Sequence, residues 1–138
     1  MQALGRALMI FCSLAATNAQ ADNWVKIVGN QDQIAISMNT DSIHTSGGIV
    51  EGWELFNFEK PDLFQGKAAY SVKYFYYRNC SDRTAALAHG LFYGRRNGEG
   101  AVISDNLASE VFYMDVIPGT VGDKTLDFVC TYARNNNR

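Results

Sequence analysis

Val-Ile-Pro-Gly-Thr-Val-Gly-Asp-Lys-Thr-Leu-Asp-Phe-Val-Cys, residues 116–130, decides how the rest of the chain is read. A strand ends at Pro118, because proline has no N–H for a ladder. A helix begins behind it. Thr120 is placed to cap that helix, and Asp123 sits three residues on, a capping box with Asp in place of Glu. Leu126, Val129, Cys130 and Ala133 then recur at i, i+3, i+4 and i+7, the apolar stripe of an amphipathic helix. The stripe carries a cysteine that needs a partner. Cys80, fifty residues earlier at the end of a tyrosine-rich strand, is the one available.

Working back from the helix, the chain reads as strands. Glu110 to Ile117 holds Val111, Phe112, Tyr113, Met114 and Val116, one expected strand. Ala101 to Ser104 is another, before a loop from Asp105 to Ser109. Asn97-Gly98 signals a hairpin. Thr84 to Arg96 alternates through Leu87, His89, Leu91 and Tyr93. Ala68 to Arg78 is the clearest strand, with Tyr70, Val72, Tyr74 and Tyr76 on one face and Lys73, Phe75 and Tyr77 on the other; such residues suit a pleated surface. Glu59 to Lys67 contains Pro61, Asp62 and Gly66 and reads as a loop. Ile49 to Phe58 is a long strand with bulk on both faces, and Gly47-Gly48 a tight reversal before it. Ile34, Ile36 and Met38 alternate with smaller residues, the period of a half-buried strand. Trp24 to Val28 is a first short strand, followed by a turn at residues 29–32. The connections are short and no long crossover intervenes. The expected fold is therefore α+β: a small antiparallel meander of about six strands, with a C-terminal helix packed on it and one disulfide, Cys80–Cys130, tying the two.

Residues 1–21 read as a secretory signal peptide: a short region with Arg6, an apolar run from Ala7 to Ala16, and Ala19-Gln20-Ala21 as a small-x-small cleavage pattern. The run is too short to span a bilayer as a helix, which takes roughly 20 residues. Residues 22–138 form one expected domain. They keep all 14 acidic residues and lose only Arg6 of the 12 basic ones, a formal charge of −3 from 11 against 14. That gives no electrostatic case for nucleic acid. With Cys12 removed in the leader, two cysteines remain in an oxidising compartment, which favours a disulfide. Two unpaired buried thiols are the alternative. Metal binding is weaker still, since neither cysteine has a CxxC neighbour and His44 and His89 stand alone.

Together these residues resemble the surface-adhesin protein E family of Gram-negative bacteria. The resemblance rests on Trp24, the Asp41-Ser42-Ile43 turn before a strand bearing Trp53, Cys80 followed by Arg83, Tyr93, and Val116 to Thr120 leading to Cys130. It implies a small antiparallel sheet with a disulfide-held C-terminal helix. It also implies binding of host extracellular-matrix or plasma proteins, and pairing into dimers, as in the founding member. That founding adhesin is a lipoprotein. Here Cys12 follows Phe11, where lipid attachment wants a small residue, so a periplasmic or freely secreted protein stands beside surface display.

No catalytic set is legible. Neither histidine sits in a nucleophile-elbow or metalloprotease motif, and the glycines form no phosphate loop. No catalytic, cofactor-binding or metal-binding residue is assigned, and no cofactor is expected. Two features point to a protein partner. Tyr74-Phe75-Tyr76-Tyr77 puts aromatics on both strand faces, and core packing or helix cover competes with an interaction surface for them. Arg95 and Arg96 beside the hairpin, with Arg78 and Arg83, offer basic contacts, against the blander reading of solvated charges guarding an edge. The candidate partner-binding residues are Tyr77, Arg78, Arg83, Arg95 and Arg96. The expected function is an exported, non-enzymatic, adhesin-like domain; the rival is a periplasmic inhibitor or envelope assembly factor that binds a bacterial or lysozyme-like protein.

Overall fold

The computed structural model describes residues 22–28 and 35–138. The leader expected over residues 1–21 and the turn expected at 29–32 lie outside the described residues. The described chain forms β1 (Trp24–Val28), β2 (Ala35–Asn39), β3 (His44–Ser46), β4 (Ile49–Phe64), β5 (Lys67–Asn79), β6 (Thr84–Tyr93), β7 (Val102–Leu107), β8 (Met114–Asp115) and α1 (Val121–Asn135). All pairings are antiparallel, in the order β1-β2-β4-β5-β6-β7, with β3 added on β4 and β8 on β6. The meander expected from the sequence is present, and the strands beyond six are the three-residue β3 and the two-residue β8.

Two-residue reversals join β3 to β4 and β4 to β5. Gly47 and Gly48 both have positive φ, as do Gln65 and Gly66, the geometry that matches strand twist in a hairpin. The loop expected over Glu59 to Lys67 is instead mostly strand: β4 runs through Pro61 to Phe64. Pairing passes from Asn57–Ser71 to Asp62–Ala69, so residues 58–61 stand against Tyr70 alone. Proline is tolerated there because a bulged stretch makes no demand on its missing N–H.

The strand expected over Glu110 to Ile117 is a second correction. Only Met114 and Asp115 pair, with Ala85 and Thr84, while Phe112 and Ile117 are exposed. β7 also runs longer than expected, taking in Asp105 to Leu107. A third correction concerns β6. Phe75 pairs with His89 and Tyr76 with Leu87, so Ala88 is an extra residue, and Leu87 turns to the face opposite His89.

One face of the sheet is closed. At one end α1 lays Val129 and Ala133 against Met38, Ile43 and Val50, with Phe128 and Tyr132 at the border. Burying a residue such as Val129 contributes about 1.5–3 kcal/mol relative to leaving it in water. At the other end the bulged β4–β5 hairpin curls over, and Phe58 and Phe64 pack with Val72 and Phe92; the Phe64 and Phe92 rings are 4.3 Å apart. The helix starts where the sequence places it. The Asp123 N–H donates to Thr120 Oγ1 at 3.2 Å, and the Gly119 N–H donates to Asp123 Oδ2 at 2.8 Å. Cys80 and Cys130 are joined, their α-carbons 6.0 Å apart.

Candidate functional site

The five candidate partner-binding residues do not converge. Arg78 leaves the set. It is 3% exposed, and its Nη2 donates to Glu54 Oε2 at 2.6 Å. The reason is register: Arg78 shares the closed face with Val72, Tyr74 and Tyr76. Arg83, in the β5–β6 turn, ion-pairs with Asp123 and, at 2.9 Å, with Asp127. Its guanidinium pins the turn to the start of α1. The Gly119 N–H and then Arg83 hold the Asp123 carboxyl below the usual carboxylate range.

Arg95 and Arg96 lie at the other end of β6, ten residues or roughly 30 Å away at strand rise. The Arg95 side chain is 71% exposed and only loosely near Glu99, at 3.9 Å. Arg96 donates to the Phe58 carbonyl at 3.0 Å. Their turn is clamped to the sheet. The Asn97 N–H donates to Asn57 Oδ1 at 2.7 Å, Ser71 Oγ donates to the Arg95 carbonyl at 2.6 Å, and the Gly98 N–H donates to Ser71 Oγ at 2.9 Å. Gly98 suits this point: its φ is +67°, which side-chain-bearing residues rarely adopt, and an added Cβ would displace the flexible end of Lys73.

Tyr77 belongs to a different arrangement. It stands on the face opposite α1, where the register lines up Trp53, Phe75 and His89 across three strands. Ring centroids are 5.1 Å apart for Trp53–Phe75, 5.4 Å for Trp53–His89 and 5.5 Å for Phe75–Tyr77. One row along, the Lys73 ammonium sits 5.3 Å from the Trp24 ring and 5.4 Å from the Tyr93 ring. These side chains border a cleft of about 330 Å³ lined by Trp24, Trp53, Lys73 and Tyr93. All of these rings are half-buried. Among the described residues the only α-helix packs on the other face, and the Arg96–Gly98 turn folds over one end of this one.

His89 Nε2 is 2.6 Å from Asp105 Oδ1. A carboxylate in reach is one condition for acid–base work. The histidine does not line the cleft beside Lys73, and among the described residues Asp105 is the one hydrogen-bond partner of its ring. No group of three or more His, Cys, Asp or Glu side chains is placed to hold a metal among the described residues.

The sequence profile of the surface-adhesin protein E family matches residues 24–131. The chain belongs to that family. The match covers the whole described sheet and most of α1. The structure is similar to a crystal structure of protein E from non-typeable Haemophilus influenzae, at 17% identity and a TM-score of 0.65, over 86% of this chain and 82% of that one. A second crystal form of Haemophilus influenzae protein E matches at 16% identity and a TM-score of 0.62, over 82% and 90%. At such identities the likeness establishes the shared fold. No curated protein is significantly similar in sequence.

Within this adhesin-family fold, residue reading missed most of the open face. Trp24, Trp53, Lys73, His89 and Tyr93 carried no functional mark. The signal was present in part, since alternation put Lys73, Phe75 and Tyr77 together. What strand period cannot supply is which of two bulky faces the helix will cover.

Proposed function

We propose that the protein is an exported, non-enzymatic binding domain, adhesin-like, that holds a host extracellular-matrix or plasma protein on its open aromatic face. The observation that carries this is the uncovered row Trp53–Phe75–His89 flanked by Tyr77. Large amphipathic rings with few rotatable bonds are favoured at interfaces and dominate their hot spots. Lys73 and the exposed Arg95 supply a basic margin, which serves encounter rate more than affinity. Membership of the adhesin family supports the same reading. Pairing of two copies, away from this face, is part of the proposal.

The test is surface plasmon resonance against immobilised matrix and plasma proteins, with Trp53→Ala and Phe75→Ser. Each variant is expected to weaken binding by about 2 kcal/mol or more, roughly thirtyfold, with little change in melting temperature. Arg95→Ala is expected to slow association and reduce its salt dependence. Full affinity in both aromatic variants would remove the face from the proposal. Sedimentation equilibrium checks the pairing, which a monomer at every concentration would exclude. Whole-cell protease is expected to remove the protein; protection would favour the rival periplasmic inhibitor or assembly factor.

A further inference from the structure

The closed face has a gap. Between the sheet, the 110–117 segment and the first turns of α1 lies a cavity of about 610 Å³. That lies within the roughly 300–1,000 Å³ typical of small-molecule sites. Its walls are mostly apolar, with Leu87 on the sheet side and Phe112 and Ile117 on the strap. Phe112 is 67% and Ile117 69% exposed, so the strap offers apolar surface that the fold itself does not bury.

Arg78 and Glu54 also line this cavity. Their side chains are 4% and 9% exposed. Arg78 Nη2 is satisfied by Glu54 at 2.6 Å, and the guanidinium carbon lies 4.8 Å over the Tyr76 ring. Arg78 Nη1 is buried and has no hydrogen-bond partner. A buried donor left unmet costs about 1–3 kcal/mol, and more for a charged group. A ligand acceptor at Nη1 recovers that cost. The arginine's charge is already matched by Glu54. An anionic head would bring a second anion to a site where desolvated charge is expensive, so the matching head is neutral.

We propose that this cavity binds a single-chain neutral amphiphile, an acyl ester or acyl amide, with its carbonyl oxygen accepting from Arg78 Nη1 and its chain lying along Leu87, Phe112 and Ile117. The site is separate from the aromatic face and does not depend on the protein-binding role.

The test is isothermal titration calorimetry of residues 22–138 with 1-monolauroylglycerol below its micelle concentration, with laurate as the anionic comparison. Saturable one-to-one binding is expected, about tenfold or more tighter than laurate, whose carboxylate would bring an uncompensated anion beside Glu54. Leu87→Trp, which fills the cavity without touching the ion pair, is expected to abolish it. Glu54→Leu combined with Arg78→Met removes both charges and keeps the face covered; it is expected to weaken monolauroylglycerol binding about tenfold, the loss of one hydrogen bond to a charged donor. No saturable binding, equal or tighter laurate binding, insensitivity to Leu87→Trp, or binding only to phosphatidylcholine vesicles would each overturn the proposal.

Discussion

Each face of the sheet carries one acid–base pair, and the two pairs live under different physics. On the closed face Glu54 and Arg78 meet at 2.6 Å with side chains 9% and 4% exposed. On the open face His89 and Asp105 meet at the same distance with side chains 23% and 62% exposed. Burial pushes the Glu54 carboxyl up, against the pull of Arg78. Burial and the nearby Glu54 charge likewise push the Tyr76 hydroxyl up to about 12. The strands are shared between the faces and the residue types are alike: Tyr74 and Tyr76 look one way along β5, Phe75 and Tyr77 the other. What differs is the cover. A helix and a curled hairpin exclude water from one side, so polar groups there must satisfy one another. The other side keeps its rings half in solvent, where a partner can still gain by covering them.

The comparison can be broken most severely by loosening the cover itself. Replacing both Cys80 and Cys130 by Ser frees a loop of fifty residues, a loss of about 4 kcal/mol in the chain-entropy account. Guanidinium unfolding under oxidising conditions measures it. The expected result is a much lower midpoint together with proteolytic opening at α1 ahead of the strands.

A sharper cut leaves the cover and breaks the pair beneath it. Arg78→Met strands the Glu54 carboxylate and is expected to cost about 3 kcal/mol or more, whereas Glu54→Leu with Arg78→Met is expected to be near neutral. The same guanidinium unfolding on Phe75→Ser should show a far smaller loss. Equal losses on the two faces would mean that the open face is as dry as the closed one.

The smallest expected effect is a pH dependence where the helix is tied to the β5–β6 turn. Asp123 titrates below its ordinary 3.8 in the folded protein. Its contribution is therefore present above about pH 4 and lost as pH falls through the lowered folded value. The melting-temperature gap between the wild type and Asp123→Asn is expected to close as pH drops through that window. A gap that persists at pH 2 would show that the carboxylate's charge is not what holds the cap.

Local chemistry made α1 legible from its first residue. Thr120 and Asp123 satisfy orphan N–H groups next to their own positions, so no distant contact is needed to place them. The cysteine pair was legible because compartment and count left few alternatives. The paired turns at Gly47-Gly48 and Asn97-Gly98 were legible because their backbone needs positive φ. Pro61 misled, since a breaker residue in a bulge looks the same in sequence as one in a loop. Arg78 misled too, because a charge beside a turn reads as surface until its face is known.

By itself the sequence determined what lies within a few residues of each position: the alternation of β5, the helix cap, the stripe that carries Cys130. Only the tertiary structure decided which face α1 would close, that Ala88 turns Leu87 away from His89, and that five candidate residues separate into a buried ion pair, a helix clasp, an aromatic row and a distant hairpin. The physical reason is range. Capping, period and turn geometry are set by neighbours along the chain, whereas cover and register are set by residues fifty positions away, whose identity says nothing of where they will land.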